Sequence, residues 1–167
     1  IHKGLGNANK LMNRLLHAAH QTAAIQLAQL KGGSLRNAIP RESDALIVFS
    51  TETKEAVKGA LEECYHQIKA EYEITDPEIS FSYSEVPTPQ KASSALFTQD
   101  LIEAIYAVPV GIYRMSPTMK DTVQTSNSLA QITMQNGKVE ILSLCRSAVD
   151  SEKWDEVNAI RAALKLV

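Results

Sequence analysis

The sequence predicts an α+β two-layer sandwich, an antiparallel sheet with helices on one face. Three observations carry that prediction. Apolar residues recur at spacings of three and four in four separate stretches, the mark of helices with one buried stripe. Between them lie apolar runs too short for helices, some joined in pairs by turn residues. The order helix–hairpin–helix occurs twice along the 167 residues.

The first helix is predicted over residues 6–22. Asn7 supplies a side-chain oxygen for an orphan N–H of the first turn. Leu5, Ala8, Met12, Leu15, Leu16 and Ala19 form its stripe. His17 and His20 share a face, but no Asp or Glu lies in this helix to complete a metal set, so both are expected to be solvated or stacked. Ala23 to Leu30 reads as a strand, with Ile25, Leu27 and Gln29 on one side and Gln26, Ala28 and Leu30 on the other. Residues 41–50 read as its antiparallel partner, apolar from Leu46 to Phe49. The connection, Gly32-Gly33-Ser34-Leu35-Arg36-Asn37-Ala38-Ile39-Pro40-Arg41-Glu42, is shaped rather than slack. Its paired glycines free the backbone for a tight turn, and Pro40 pushes Ile39 toward an extended conformation. It presents Arg36 and Asn37 at one end of the sheet, while Arg41 is expected to pair with Glu42 or a neighbour at the surface.

A second helix spans residues 52–72, with Val57, Ala60, Leu61, Cys64 and Ile68 buried and the charged remainder solvated. Gly59 suggests close packing on the sheet. Ile79-Ser80-Phe81-Ser82-Tyr83-Ser84 alternates with period two and gives the cleanest strand signal in the chain. Two prolines make residues 86–91 an extended linker. The third helix runs from Ser94 to Ala107, with Phe97, Leu101, Ile105 and Val108 on its stripe, and Pro109 ends it. Residues 111–115 predict a short strand and 116–122 a polar loop. Residues 128–134 and 139–149 are predicted strands joined by Asn136-Gly137, since both residues tolerate positive φ. Their pattern turns Val139, Ile141, Ser143, Cys145 and Ser147 one way and Glu140, Leu142, Leu144 and Arg146 the other. Asp150 opens a last helix carrying Trp154, Val157, Ile160 or Arg161, and Leu164. This repeated helix–hairpin–helix unit has ferredoxin-like character. The chain is expected to be one domain, with 1–86 and 94–167 as its halves.

Aromatics are only 5% of residues, so aliphatic side chains must fill the core. A net charge of −2 without a basic block gives no electrostatic footprint for nucleic acid. RNA binding through the sheet face lacks the exposed aromatics and basic residues it needs. No apolar run reaches the ~18 residues that cross a bilayer, and no signal peptide opens the chain. Cys64 and Cys145 both fall in apolar segments, which favours free thiols and a reducing, cytoplasmic compartment. Ile1-His2-Lys3-Gly4 and Leu166-Val167 both read as cut ends, as of an excised domain. A self-sufficient hydrolase needs an activated nucleophile or a metal with an open position. The sequence holds no His-x-Asp, paired Glu-Glu or nucleophile elbow, and the fragment is expected to be inactive alone.

Gly4-Leu5-Gly6-Asn7-Ala8-Asn9-Lys10, the Gly32 to Glu42 segment and Leu144-Cys145-Arg146-Ser147 occur in that order. With them the chain resembles the lid, or dimerisation, domain of the aminoacyl-histidine dipeptidases (peptidase D). These belong to a two-metal peptidase family that includes glutamate carboxypeptidases. The resemblance implies a lid inserted between two segments of a catalytic domain in a cytosolic homodimer that hydrolyses Xaa-His dipeptides. It implies no catalytic residue and no metal ligand within this chain, with two divalent metals, zinc, held by the catalytic domain. It assigns Asn37 and Arg146 to the terminal carboxylate of the dipeptide substrate. A guanidinium suits that task through two parallel charge-assisted hydrogen bonds, and an amide adds a third. On residues alone, Arg146 has another reading, a strand residue paired with Glu140 or Asp150, and Asn37 another, a turn residue bonding its own backbone. The family's lid histidine, in a Gly-Gly-His-Ser-Gly segment, would lie before Ile1; His2 is not that residue. The competing function is a freestanding ferredoxin-like module for small-molecule binding or oligomerisation.

Overall fold

A computed structural model of the protein describes residues 3–167; His2 lies outside the described residues. The elements in order are α1 (Ala8–Thr22), β1 (Gln26–Gly32), β2 (Ser43–Val48), α2 (Lys54–Glu71), α3 (Ala95–Ala107), β3 (Gly111–Met115), β4 (Val123–Gln135), β5 (Lys138–Ser147) and α4 (Asp150–Leu164). The five strands make one antiparallel sheet, and the helices pack together as the second layer. The α+β sandwich expected from sequence is the architecture found.

The 13-residue β4 joins the two halves. Its C-terminal part pairs with β1, from Gly32 opposite Ile132 to Leu30 opposite Met134. Its N-terminal part pairs with β3, and β5 runs along its other edge from Thr125–Ser147 to Gln135–Lys138. The predicted strand at 128–134 is therefore short by six residues, five of them at its start, because the run Val123–Asn127 is held by neighbours on both sides. The two helix–hairpin–helix halves share one sheet. Asn136 and Gly137 turn the β4–β5 hairpin at φ of 54° and 78°.

Asn7 caps α1 by accepting from the Lys10 N–H at 3.2 Å. Three asparagines of α1 do more than the apolar stripe foretold. Asn7 and Asn9 both donate to the Leu129 carbonyl at 3.2 Å, and Asn13 donates to Ile102 O at 2.9 Å. They bind α1 to β4 and to α3. Lys10 donates to the carbonyls of Ile105, Tyr106 and Val108 at 2.8–3.0 Å, closing the end of α3. Burial pulls its ammonium down to about 8. The core between the layers holds Leu16, Ile25, Leu27, Val57, Ile68, Leu101, Ile105, Leu129 and Ile132.

Five expectations are corrected. A β-bulge between Leu27 and Gln29 resets the alternation of β1, so Leu27 and Leu30 are both buried and Gln29 is exposed. Residues 79–84 belong to no strand. They lie along α2, where Phe81 stacks with Tyr65 and Tyr83 donates to Glu62. Gly59 meets nothing within 4 Å, so it marks no close approach to the sheet. The buried face of α4 is Glu156, Ile160 and Ala163, whereas Trp154 is exposed beneath Arg161. Arg41 pairs with Asp76, not Glu42, through two bonds of 2.9 and 3.0 Å. His17 stacks on Tyr106 at 4.9 Å between centroids. Both cysteines are free thiols.

Candidate functional site

The Gly33–Glu42 loop is fixed at its root and open at its tip. Gly33 sits at φ +75°, and a Cβ there would stand 2.0 Å from the Ala130 carbonyl oxygen. Only glycine fits so close to β4 in that backbone region. The Gly33 N–H donates to Glu42 O at 3.2 Å and the Ala8 N–H to Pro40 O at 3.0 Å. These bonds close the loop and lay its far end on the start of α1. Ser34 through Ala38 are exposed, with Arg36 and Asn37 at the tip. The tip turn is held by the Ala38 N–H donating to Leu35 O at 3.4 Å, not by the side chain of Asn37, which makes no hydrogen bond among the described residues.

Arg146 lies on β5 opposite Ser126 of β4. Its neighbours Cys145 and Ser147 face the helices: Cys145 donates to Asn127 Oδ1 at 3.5 Å, and Ser147 meets Thr125 at 2.7 Å. Arg146 therefore stands on the other face, in a row with Leu144, Leu142 and Glu140. It is exposed and makes no ion pair or hydrogen bond among the described residues. Both carboxylates that the sequence offered it are engaged elsewhere. Glu140 pairs with Lys138 at 2.6 Å and Asp150 with Lys153. A guanidinium on a sheet face without a local anion is available for an anion from outside the chain.

The two residues are referred to the same strand. The root of the Asn37 loop touches Ala130, and Arg146 is opposite Ser126, four residues along β4, or ~13 Å at strand rise. No hydrogen bond or ion pair joins them among the described residues.

The other face of β4–β5 holds a polar cluster that sequence reasoning missed. Glu152 of α4 accepts from Gln124, Thr125 and Arg114, each at 2.8 Å. These bonds hold its carboxyl below the usual range. One turn on, Glu156 is 1% exposed, and its Oε2 has no partner. Burial pushes it up to about 7. Burial likewise pushes the Cys145 thiol up to about 11, which makes it a poor nucleophile. The period of α4 placed Glu156 in register with Ile160 and Ala163, which was the one available signal.

No group of three or more His, Cys, Asp or Glu that could hold a metal ion exists among the described residues. These residues do not fit a two-metal centre. No helix is long and apolar enough to cross a membrane among the described residues.

Residues 1–76 match the family model described as the peptidase dimerisation domain. The chain is 34% identical over 166 residues, 99% of its length, to the cytosol non-specific dipeptidase of Escherichia coli (strain K12), of which it covers 34%. Its fold matches the crystal structure of aminoacylhistidine dipeptidase from Vibrio alginolyticus with a TM-score of 0.92 and 32% identity. That match covers 98% of this chain and 33% of that one. The chain thus spans about a third of the length of the relatives it matches.

Proposed function

We propose that the peptidase dimerisation domain carried by this chain is the lid of a metallo-dipeptidase, a hydrolase of Xaa-His dipeptides. In this reading residues 1–167 are a single lid domain within a longer polypeptide that works as a cytoplasmic homodimer. Two divalent metals, zinc by family resemblance, belong to the catalytic domain. The lid's own task is recognition. Arg146 binds the free carboxylate of the dipeptide through paired N–H donors, and Asn37 adds an amide contact from its loop. A lid that delivers these groups on closing excludes water and completes the site only when substrate is present.

The observation that carries the carboxylate role is the state of Arg146. It is exposed on the sheet face away from the helices and has no anion of its own among the described residues; Asp150, four residues on, is held by Lys153. The test is Arg146→Ala in the full-length enzyme. Turnover of a dipeptide should fall by orders of magnitude, while metal content and oligomeric state stay as in the wild type. Near-normal turnover removes the role.

A further inference from the structure

The chain entering α1 directs a hydrogen-bond donor outward at every residue from Gly6 to Lys10. The Gly6 N–H goes to Asp76 at 3.1 Å. Asn7 donates to Leu129 O, and Lys10 to the three carbonyls that end α3. The two residues between them hold the Asn37 loop. The Ala8 N–H donates to Pro40 O at 3.0 Å, on the side where the loop returns to the sheet. The Asn9 amide donates to Gly32 O at 3.4 Å, where the loop leaves β1. Both feet of the loop rest on consecutive residues of one helical turn.

Asn9 holds more than a foot. Its Nδ2 also donates to Leu129 O at 3.2 Å. β1 and β4 are paired as far as Gly32 opposite Ile132 and then part, because β1 turns away at Gly33. Leu129 lies beyond that last pair, so the amide spans the two strands where their own ladder stops and serves carbonyls that have lost a backbone partner. The side chain is 1% exposed and closely packed. A Cβ on Gly32 would stand 1.9 Å from its Oδ1 and 2.6 Å from Ser43 Oγ. Asn9 and Ser43 occupy the place of a side chain at that residue. The Asn9 Oδ1 accepts nothing among the described residues, so the site uses the donor alone. Strand β4 also carries Ser126, the cross-strand neighbour of Arg146. One buried amide ties the loop that bears Asn37 to the strand that registers Arg146.

We infer that Asn9, together with the Ala8 N–H, is the positioning device of the Asn37 loop: it sets where the loop stands on β4, and so the spacing of Asn37 from Arg146. Its effect on turnover rests on the carboxylate role proposed for Asn37; its effect on the loop does not.

Hydrogen exchange and a double-mutant cycle on the full-length protein test it. In Asn9→Ala, amides of residues 33–42 should exchange about tenfold faster or more, with those of β5 unchanged. Dipeptide turnover should fall about tenfold or more in kcat/KM at unaltered metal content, the effect of misplacing one hydrogen bond to a charged group. In an Asn37→Ala background the same substitution should cost less than about twofold, because the contact it positions is already gone. Ala8→Pro releases the other foot and should show the same pattern. Ala8 is the first residue of α1 and Asn7 before it is extended, so proline leaves the helix start intact. Ala8→Pro decides both arms if Asn9→Ala does not fold. Protection at 33–42 that survives the substitution overturns the inference. So does a loss of turnover that adds in full to that of Asn37→Ala, the mark of a purely structural role. Normal turnover in Asn37→Ala itself would instead remove the carboxylate role of Asn37, and the exchange at 33–42 then decides the inference alone.

Discussion

Replacing Glu156 with glutamine should remove a pH dependence of stability that the fold itself creates. The carboxyl is 1% exposed beneath α4, has one oxygen without a partner, and keeps its proton up to about 7 instead of 4.5. Cys145 on β5 and Tyr113 on β3 feel its charge, and burial is what raises it. No ion pair or hydrogen bond to a cation offsets that burial among the described residues. In the unfolded chain the group ionises near its ordinary value, so between 4.5 and 7 the folded state binds more protons. Stability from this group is complete below that window and falls as pH rises through it. At 1.36 kcal/mol per pH decade, the loss between pH 5 and pH 8 is on the order of 2–3 kcal/mol. Glutamine keeps the shape and cannot ionise, and any penalty from its buried amide shifts all pH values alike. Urea denaturation of this chain and of Glu156→Gln at pH 5, 6, 7 and 8 supplies the comparison. The variant should lose less stability across the series by that amount, with unchanged m. Parallel curves would mean that water or a rearranged neighbour solvates the carboxylate and that Glu156 does not set this pH dependence.

Two further substitutions probe the loop and its foot. Gly33→Ala places a Cβ 2.0 Å from the Ala130 carbonyl at φ +75°, so it should destabilise the chain by roughly 2 kcal/mol or more by thermal denaturation. On the proposed dipeptidase reading, it should also lower kcat/KM of the full-length protein, because it displaces Asn37. Asp76→Ala leaves the Gly6 N–H without its acceptor and should cost roughly 1–3 kcal/mol. The Arg41 pair adds little, because Arg41 is largely exposed. Arg41 and Gly6 hold the Asp76 carboxyl below its usual range, so the wild type should lose this contribution only as pH falls through that depressed value. The variant should lack that acid-side loss in a denaturation series from pH 6 to 2.

The helices and the β4–β5 hairpin were legible because their signals are local. Asn7 as a cap, the apolar periods of α1 to α3 and the Asn136-Gly137 turn each depend on residues within one or two turns of chain. What escaped depends on partners far away in sequence. The bulge in β1 is set by its register with β2, and nothing in Leu27-Ala28-Gln29 announces it. Arg41 finds Asp76 35 residues on, past a nearer glutamate. The alternation of Ile79 to Tyr83 was real, but a strand needs a partner, and among the described residues it pairs with none. For the site, the free face of Arg146 followed from the period of β5. Its lack of a local anion did not, because only the structure shows that Lys153 holds Asp150, while Glu140, six residues back along β5 and paired with Lys138, is ~20 Å away.

On the proposed reading, the domain grips a substrate carboxylate. Comparing a dipeptide with its C-terminal amide on full-length wild type and Arg146→Ala reads that grip. Wild type should prefer the free acid by about 30- to 1,000-fold in kcat/KM, the equivalent of roughly 2–4 kcal/mol for a desolvated charge pair. Arg146→Ala should process the two almost equally, and poorly. A variant that keeps the wild-type preference for the acid would mean that Arg146 does not bind the carboxylate.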